Sequence, residues 1–207
     1  MKPNVRPVLA VALAAIFAAQ PALAFDYPLS PEAIREAYFL GKQNSDRRQA
    51  FLQPYKHSLP VPESGPQVGL IQVETPFTFI AASVSEAGSD YHAQEAEQDF
   101  LGKPGHFRVH VEIYFTATYP GANDTAASLG NFWSDFTIHL KQKDEIPSLK
   151  VAGQPIYSDD TLSGYMGAMI DVDYDVKKID PGAQTTIEVD TPDGQQVETT
   201  FELSQLR

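Results

Sequence analysis

The sequence predicts a mainly β protein, an antiparallel β-sandwich of about immunoglobulin-like size with a short N-terminal helical segment. Apolar residues repeat at helical spacing in the first part of the chain, and from Gln67 onward they mostly alternate with polar residues. Alternation of this kind is typical of half-buried strands. Turn-forming residues separate at least seven such stretches, which suits two packed sheets, with a small closed barrel as the alternative.

The first 24 residues have the pattern of a secretory signal peptide. Lys2 and Arg6 precede an apolar run, and the segment ends on the small residues Ala22 and Ala24. The apolar run is shorter than the roughly 20 residues needed to span a bilayer. We therefore expect cleavage rather than a transmembrane anchor, and a periplasmic or secreted protein that begins near Phe25.

The composition narrows the classes of partner. The formal net charge is −12, and it becomes −14 without residues 1–24, because that segment holds two basic residues and no acid. Such an acidic protein repels nucleic acid, so we expect no nucleic-acid partner. The chain has no cysteine, so burial of a core must supply the stability that disulfides give many exported proteins.

The amino-terminal part of the mature chain divides into two segments. Residues 25–53 are predicted to be helical, because Ser30 can cap a helix that has Pro31 at its first position and ends near Gly41. A second helix is predicted over residues 45–53. Residues 54–66 contain four prolines and are predicted to be an extended connector.

Residues 67–207 are predicted to form the sandwich domain. A short acidic helix that ends at Gly102 is expected between the second and third strands, and residues 191–194 (Thr-Pro-Asp-Gly) predict a turn that pairs Val189 with Val197. The predicted strands are residues 67–74, 77–84, 106–119, 132–142, 165–176, 185–190 and 196–203.

The strand that begins at residue 106 carries the strongest candidates for a site. His106, Arg108, His110 and Glu112 share its polar face. If this strand neighbours residues 132–142, one register places His110 opposite His139 with Glu112 alongside, a ligand set for a divalent metal. Other registers give simple charge pairs, and a solvated polar face is the alternative.

Asp171 and Asp173 are further metal candidates, and Trp133 is a candidate for ligand binding. The two acids alternate with apolar residues, so they belong to a strand face rather than to a calcium loop, which would need glycine and glutamate at later positions. Trp133 is predicted on an outward face, where it could form a platform for a sugar or a peptide unless the amino-terminal helices cover it.

The common catalytic motifs are absent from the sequence: there is no cysteine nucleophile, nucleophile elbow, zinc-binding helix motif or phosphate loop. The sequence therefore favours an exported, non-enzymatic β-sandwich module that binds or assembles at the cell envelope, with an envelope protein or a glycan as its partner. The alternatives are a metal-assisted hydrolase around His110, Glu112 and His139, and a small β-barrel that binds a ligand. No cofactor is expected, and a divalent metal is the alternative.

Overall fold

The computed structural model describes residues 25, 27–119, 131–157 and 165–207. The predicted signal peptide, residues 1–24, lies outside the described residues. The described parts of the chain form two antiparallel sheets, one of five strands in the order β1-β2-β3-β7-β6 and one of four in the order β5-β4-β8-β9. The strands are β1 Lys56–Ser58, β2 Gln67–Glu74, β3 His106–Tyr114, β4 Thr137–Lys141, β5 Glu145–Ile146, β6 Ser148–Tyr157, β7 Tyr165–Asp175, β8 Gln184–Asp190 and β9 Gln196–Glu202.

The two sheets enclose one hydrophobic core between them. From the first sheet, alternate residues of β3, such as Phe107 and Val111, are fully buried. From the second sheet, Leu140, Ile187 and Phe201 belong to the same continuous cluster. This packing confirms the predicted mainly β antiparallel sandwich. Each sheet keeps two free edges among the described residues, so the alternative of a small closed barrel is wrong.

In the described part of the chain, four α-helices accompany the sheets: α1 Pro31–Gly41, α2 Ser45–Leu52, α3 Pro76–Glu86 and α4 Ala93–Phe100. The side chain of Ser30 accepts a hydrogen bond from the Ala33 amide, which confirms the predicted start of α1. Helices α1, α3 and α4 share a second apolar cluster that includes Ile34, Ile80 and Val84. Within the described residues, no helix has the length and apolar character needed to cross a membrane.

The predicted strand over residues 77–84 is wrong, because this segment is helix α3. The Thr75 hydroxyl accepts from the Thr78 amide and the Thr78 hydroxyl accepts from the Thr75 amide, a reciprocal capping box, and Pro76 fits the first helical position. The buried residues Phe77, Ile80, Ala81 and Val84 have the i, i+3, i+4, i+7 spacing of a helix face. A short apolar run fits either element, and the cap at residue 75 determines which one forms.

Three other segments differ from the prediction. The proline-rich connector contains β1, which pairs with β2. Within residues 132–142, only β4 is a strand, since Phe132–Asp135 forms a 3₁₀ helix. Strand β6 was not predicted, because as an edge strand it has no regular alternation of buried and exposed residues. The terminal hairpin is confirmed, with Val189 opposite Val197.

Candidate functional site

The outer face of the first sheet carries a row of charged side chains from β3 and β7. These strands are antiparallel neighbours, and their register places Arg108 opposite Asp173 and His110 opposite Asp171. Alternation along each strand turns these four side chains away from the core. Acidic and basic groups therefore lie directly across from one another.

Each pair on this face is closely bonded. Arg108 donates from Nε to Asp173 at 2.7 Å and from Nη2 to the other carboxylate oxygen at 3.3 Å. The Nδ1 atom of His110 lies 2.7 Å from Asp171 Oδ1. Burial acts to raise the pKa of Asp171, but the His110 hydrogen bond and the charges of His110 and Arg108 outweigh it and lower that pKa below its ordinary value.

Glu112 completes the row on the far side of the histidine. Its carboxylate lies 3.7 Å from His110 Nε2 and accepts a hydrogen bond from the Tyr114 hydroxyl at 2.6 Å. That bond, together with partial burial, raises the pKa of Tyr114 to about 12. Asp171 and Glu112 contact opposite nitrogens of the His110 ring, so they cannot converge with this histidine on a single ion. The row is a set of mutually paired charges.

The structure does not bring His110 and His139 together. Strand β3 has β2 and β7 as its neighbours, whereas His139 lies on β4 in the second sheet. The set of His110, Glu112 and His139 considered from the sequence therefore does not form. Asp171 and Asp173 are both engaged by basic side chains of β3, Asp173 by Arg108 and Asp171 by His110.

A second polar cluster lies on the outer face of the second sheet. His139 on β4 is opposite Glu188 on β8, and Asp190 follows two residues later on the same face. His139, Glu188 and Asp190 each offer one ligand atom, and these three atoms lie within 4.8 Å of one another. Glu145 on β5 also contacts this histidine, at 2.7 Å from Nδ1.

Most of this cluster was missed from the sequence. The alternation of Thr186, Glu188 and Asp190 with apolar residues marks a polar strand face, but it does not show which strand lies alongside. The structure pairs β8 with β4 and thus brings His139 to the two acids. The Glu145 hydrogen bond raises the pKa of His139; partial burial opposes this shift, and the charges of Glu145, Asp190 and Glu188 add to it.

Trp133 is half-buried and belongs to the 3₁₀ helix rather than to a strand. Its indole ring lies against Gly153 of β6, so closely that a Cβ atom at that glycine would lie 2.1 Å from Trp133 Cδ2. Helix α1 packs instead with α3 and α4. Strand β6, and not the amino-terminal helices, thus covers one face of this tryptophan.

Strand β6 is the edge strand of the first sheet and exposes apolar side chains. Leu149 is 66% exposed and Val151 is 48% exposed. Strand β9, which is the long edge of the second sheet, differs in carrying the exposed acids Glu198 and Glu202. The two long edges therefore present different chemistry to a partner.

No protein-family model matches the chain, and no curated protein matches it in sequence. Among solved structures, an IgNAR antibody domain C1 aligns with 70% of this chain and 99% of that domain, with 10% sequence identity and a TM-score of 0.31. The two packed sheets themselves define the fold as a β-sandwich.

Proposed function

We propose that this chain is an exported, non-enzymatic β-sandwich module of the cell envelope that binds an extended segment of a partner protein along the free edge of β6. The observation that carries this proposal is the length and apolar character of that edge. Strand β6 runs for ten residues, and within the described chain only β7 pairs with it. Lys150 is its only charged residue.

An edge strand of this kind can accept another strand. Its outward N–H and C=O groups lack strand partners among the described residues, and an extended peptide can supply them over residues 148–154, before Pro155, which has no N–H. Leu149 and Val151 would add apolar contact with side chains of the incoming segment. The exposed glutamates of β9 oppose the same event at the other long edge, because charged side chains on an edge discourage strand addition.

Trp133 offers at most one open ring face to a glycan. A sugar platform requires an aromatic face that is open to the ligand, and β6 lies against the other face at Gly153. The alternative of a metal-assisted hydrolase requires His110, Glu112 and His139 to converge. Because His110 and His139 lie on separate sheets, the geometry gives that alternative no support.

Site-specific photo-crosslinking in cells that export the protein tests the proposal. A crosslinking amino acid at Val151 should give discrete adducts with another protein, whereas the same amino acid at Glu198 on the opposite long edge should not. Both positions lie on strands at a sheet edge, so Glu198 is a matched control. An absence of adducts at Val151, or the same adducts at both positions, would contradict binding at β6.

A further inference from the structure

We propose that the outer face of the second sheet holds a zinc site formed by His139, Glu188 and Asp190. This inference does not depend on the proposed function, because β6 belongs to the other sheet. The three residues come from two adjacent strands, β4 and β8, whose ladder of backbone hydrogen bonds fixes their spacing. Ligands on strands are held more precisely than ligands on loops.

The distances suit a tetrahedral ion. His139 Nε2 lies 3.3 Å from Asp190 Oδ2. Zinc bonds of about 2.0 Å place neighbouring ligand atoms of a tetrahedral site about 3.3 Å apart. The ligand atoms of all three residues lie within 4.8 Å of one another, so Glu188 can reach the same ion after a small side-chain rotation.

Two neighbours orient these ligands. Glu145 accepts a hydrogen bond from Nδ1 of His139 at 2.7 Å, so in the neutral ring the lone pair is on Nε2, which faces Asp190. The amide of Gln196 donates to Asp190 Oδ1 at 3.1 Å, which leaves Oδ2 toward the histidine. A carboxylate that accepts from the second nitrogen of a metal-bound histidine is the usual arrangement at zinc sites.

The cluster also has an excess of negative charge. Glu188 is only 6% exposed, and Lys141 is its ion-pair partner, with Nζ 2.7 Å from Oε1. Glu145 and Asp190 are close enough to raise the pKa of His139, and Glu145 and Glu198 are close enough to raise that of Lys141. Glu198 is also directly opposite Glu188 on β9. One lysine does not neutralise four carboxylates, so a divalent cation would be attracted here.

The donor set favours zinc over calcium and magnesium. Calcium and magnesium take oxygen ligands almost exclusively, whereas zinc binds an imidazole nitrogen together with carboxylate oxygens. His139 and Asp190 are partly exposed to solvent, so water has access to a fourth position.

Isothermal titration of EDTA-treated protein with zinc chloride at neutral pH tests the site. We expect one zinc per chain in the wild type, and loss of this binding in H139Q. The variant E145A should retain the ligands but bind zinc about 10- to 100-fold more weakly, because it removes the acceptor that orients His139. The variant K141M should bind zinc more tightly, since it frees an oxygen of Glu188 and removes a positive charge.

H110Q is the matched control, because His110 also lies on a strand face and also bonds a carboxylate through Nδ1. Its zinc binding should equal that of the wild type, and thermal melting should show that every variant is folded. The proposal is overturned if the wild type binds no zinc, if folded H139Q still binds it, or if H110Q loses it equally. Calcium chloride that binds as tightly as zinc would also overturn the assignment.

Discussion

His110 links two carboxylates on the outer face of the first sheet. Its ring lies between Asp171 on β7 and Glu112 on its own strand, with a different nitrogen toward each. Burial acts to lower the pKa of His110, but the hydrogen bond and charge of Asp171, together with Glu112, outweigh it and raise that pKa above 6.5. The protonated histidine is therefore favoured in the folded state.

This preference predicts how stability depends on pH. Because the pKa of His110 is higher in the folded than in the unfolded chain, its stabilisation is complete below about pH 6.5 and is lost as the pH rises through the folded value. H110Q should therefore be less stable than the wild type in urea unfolding near pH 6. The difference should shrink as the pH rises toward 9 and wild-type His110 loses its proton.

An H110Q deficit that stayed constant from pH 6 to pH 9 would show that the pair with Asp171 does not depend on protonation.

The direction of side chains on β3 was predictable, but their partners were not. Alternation over a few residues is a local property, so the polar face of His106, Arg108, His110 and Glu112 followed from the sequence. The pairing of His110 with Asp171 joins positions 61 residues apart. It depends on which strands are neighbours and in which register, and neither property is encoded locally.

At the level of elements, the contact between the 3₁₀ helix Phe132–Asp135 and β6 depends on a single glycine. The absence of a side chain at Gly153 creates the space for the Trp133 ring. Neither element was predicted, because a single 3₁₀ turn has no extended periodicity and β6 lacks regular alternation. Whether a segment is a helix or a strand was predictable where a helix cap or a long apolar repeat marked it, as for α1 and β3.

Gly153→Ala should disturb this contact. The added methyl group would displace Trp133, at a cost of about 1–3 kcal/mol in the free energy of unfolding. Trp133 is the only tryptophan in the sequence, so its emission should shift to longer wavelength as the ring becomes more exposed to water. Chemical denaturation and fluorescence spectra measure the two effects.

Gly88→Ala is the comparison for this substitution, because no atom lies within 4 Å of the position that its Cβ would occupy. That variant should retain both the stability and the emission of the wild type. If the Gly153 variant did the same, the described contact between Trp133 and β6 would be wrong.

At the level of the whole molecule, the two-sheet architecture was predictable because many alternating segments indicate it together. One wrongly assigned segment does not change that prediction. Three of the four described helices, α1, α2 and α4, were predicted, whereas α3 was assigned to a strand. The order of strands in the sheets could not be predicted from the sequence, because it is set by contacts between distant segments.

Export of the whole chain can be checked directly. Lys2 and Arg6, the apolar run after them and Ala22 and Ala24 predict cleavage after residue 24. Mass spectrometry of the protein recovered outside the cytoplasm should therefore find an amino terminus at or within a few residues of Phe25. Recovery there of a protein that retains Met1 would contradict the cleavage, and recovery from the cytoplasm alone would contradict the proposed envelope location.

The order of strands also has a consequence for the kinetics of folding. The sheets are interleaved along the chain: β1 to β3 belong to the first sheet, β4 and β5 to the second, β6 and β7 to the first, and β8 and β9 to the second. The central β3–β7 ladder joins residues that lie more than 50 positions apart. Topologies dominated by such distant pairings fold in about milliseconds to seconds, far more slowly than helical bundles. Neither sheet can be completed before β7 and β8 have been synthesised, so the two sheets pack together only after most of the chain has been made.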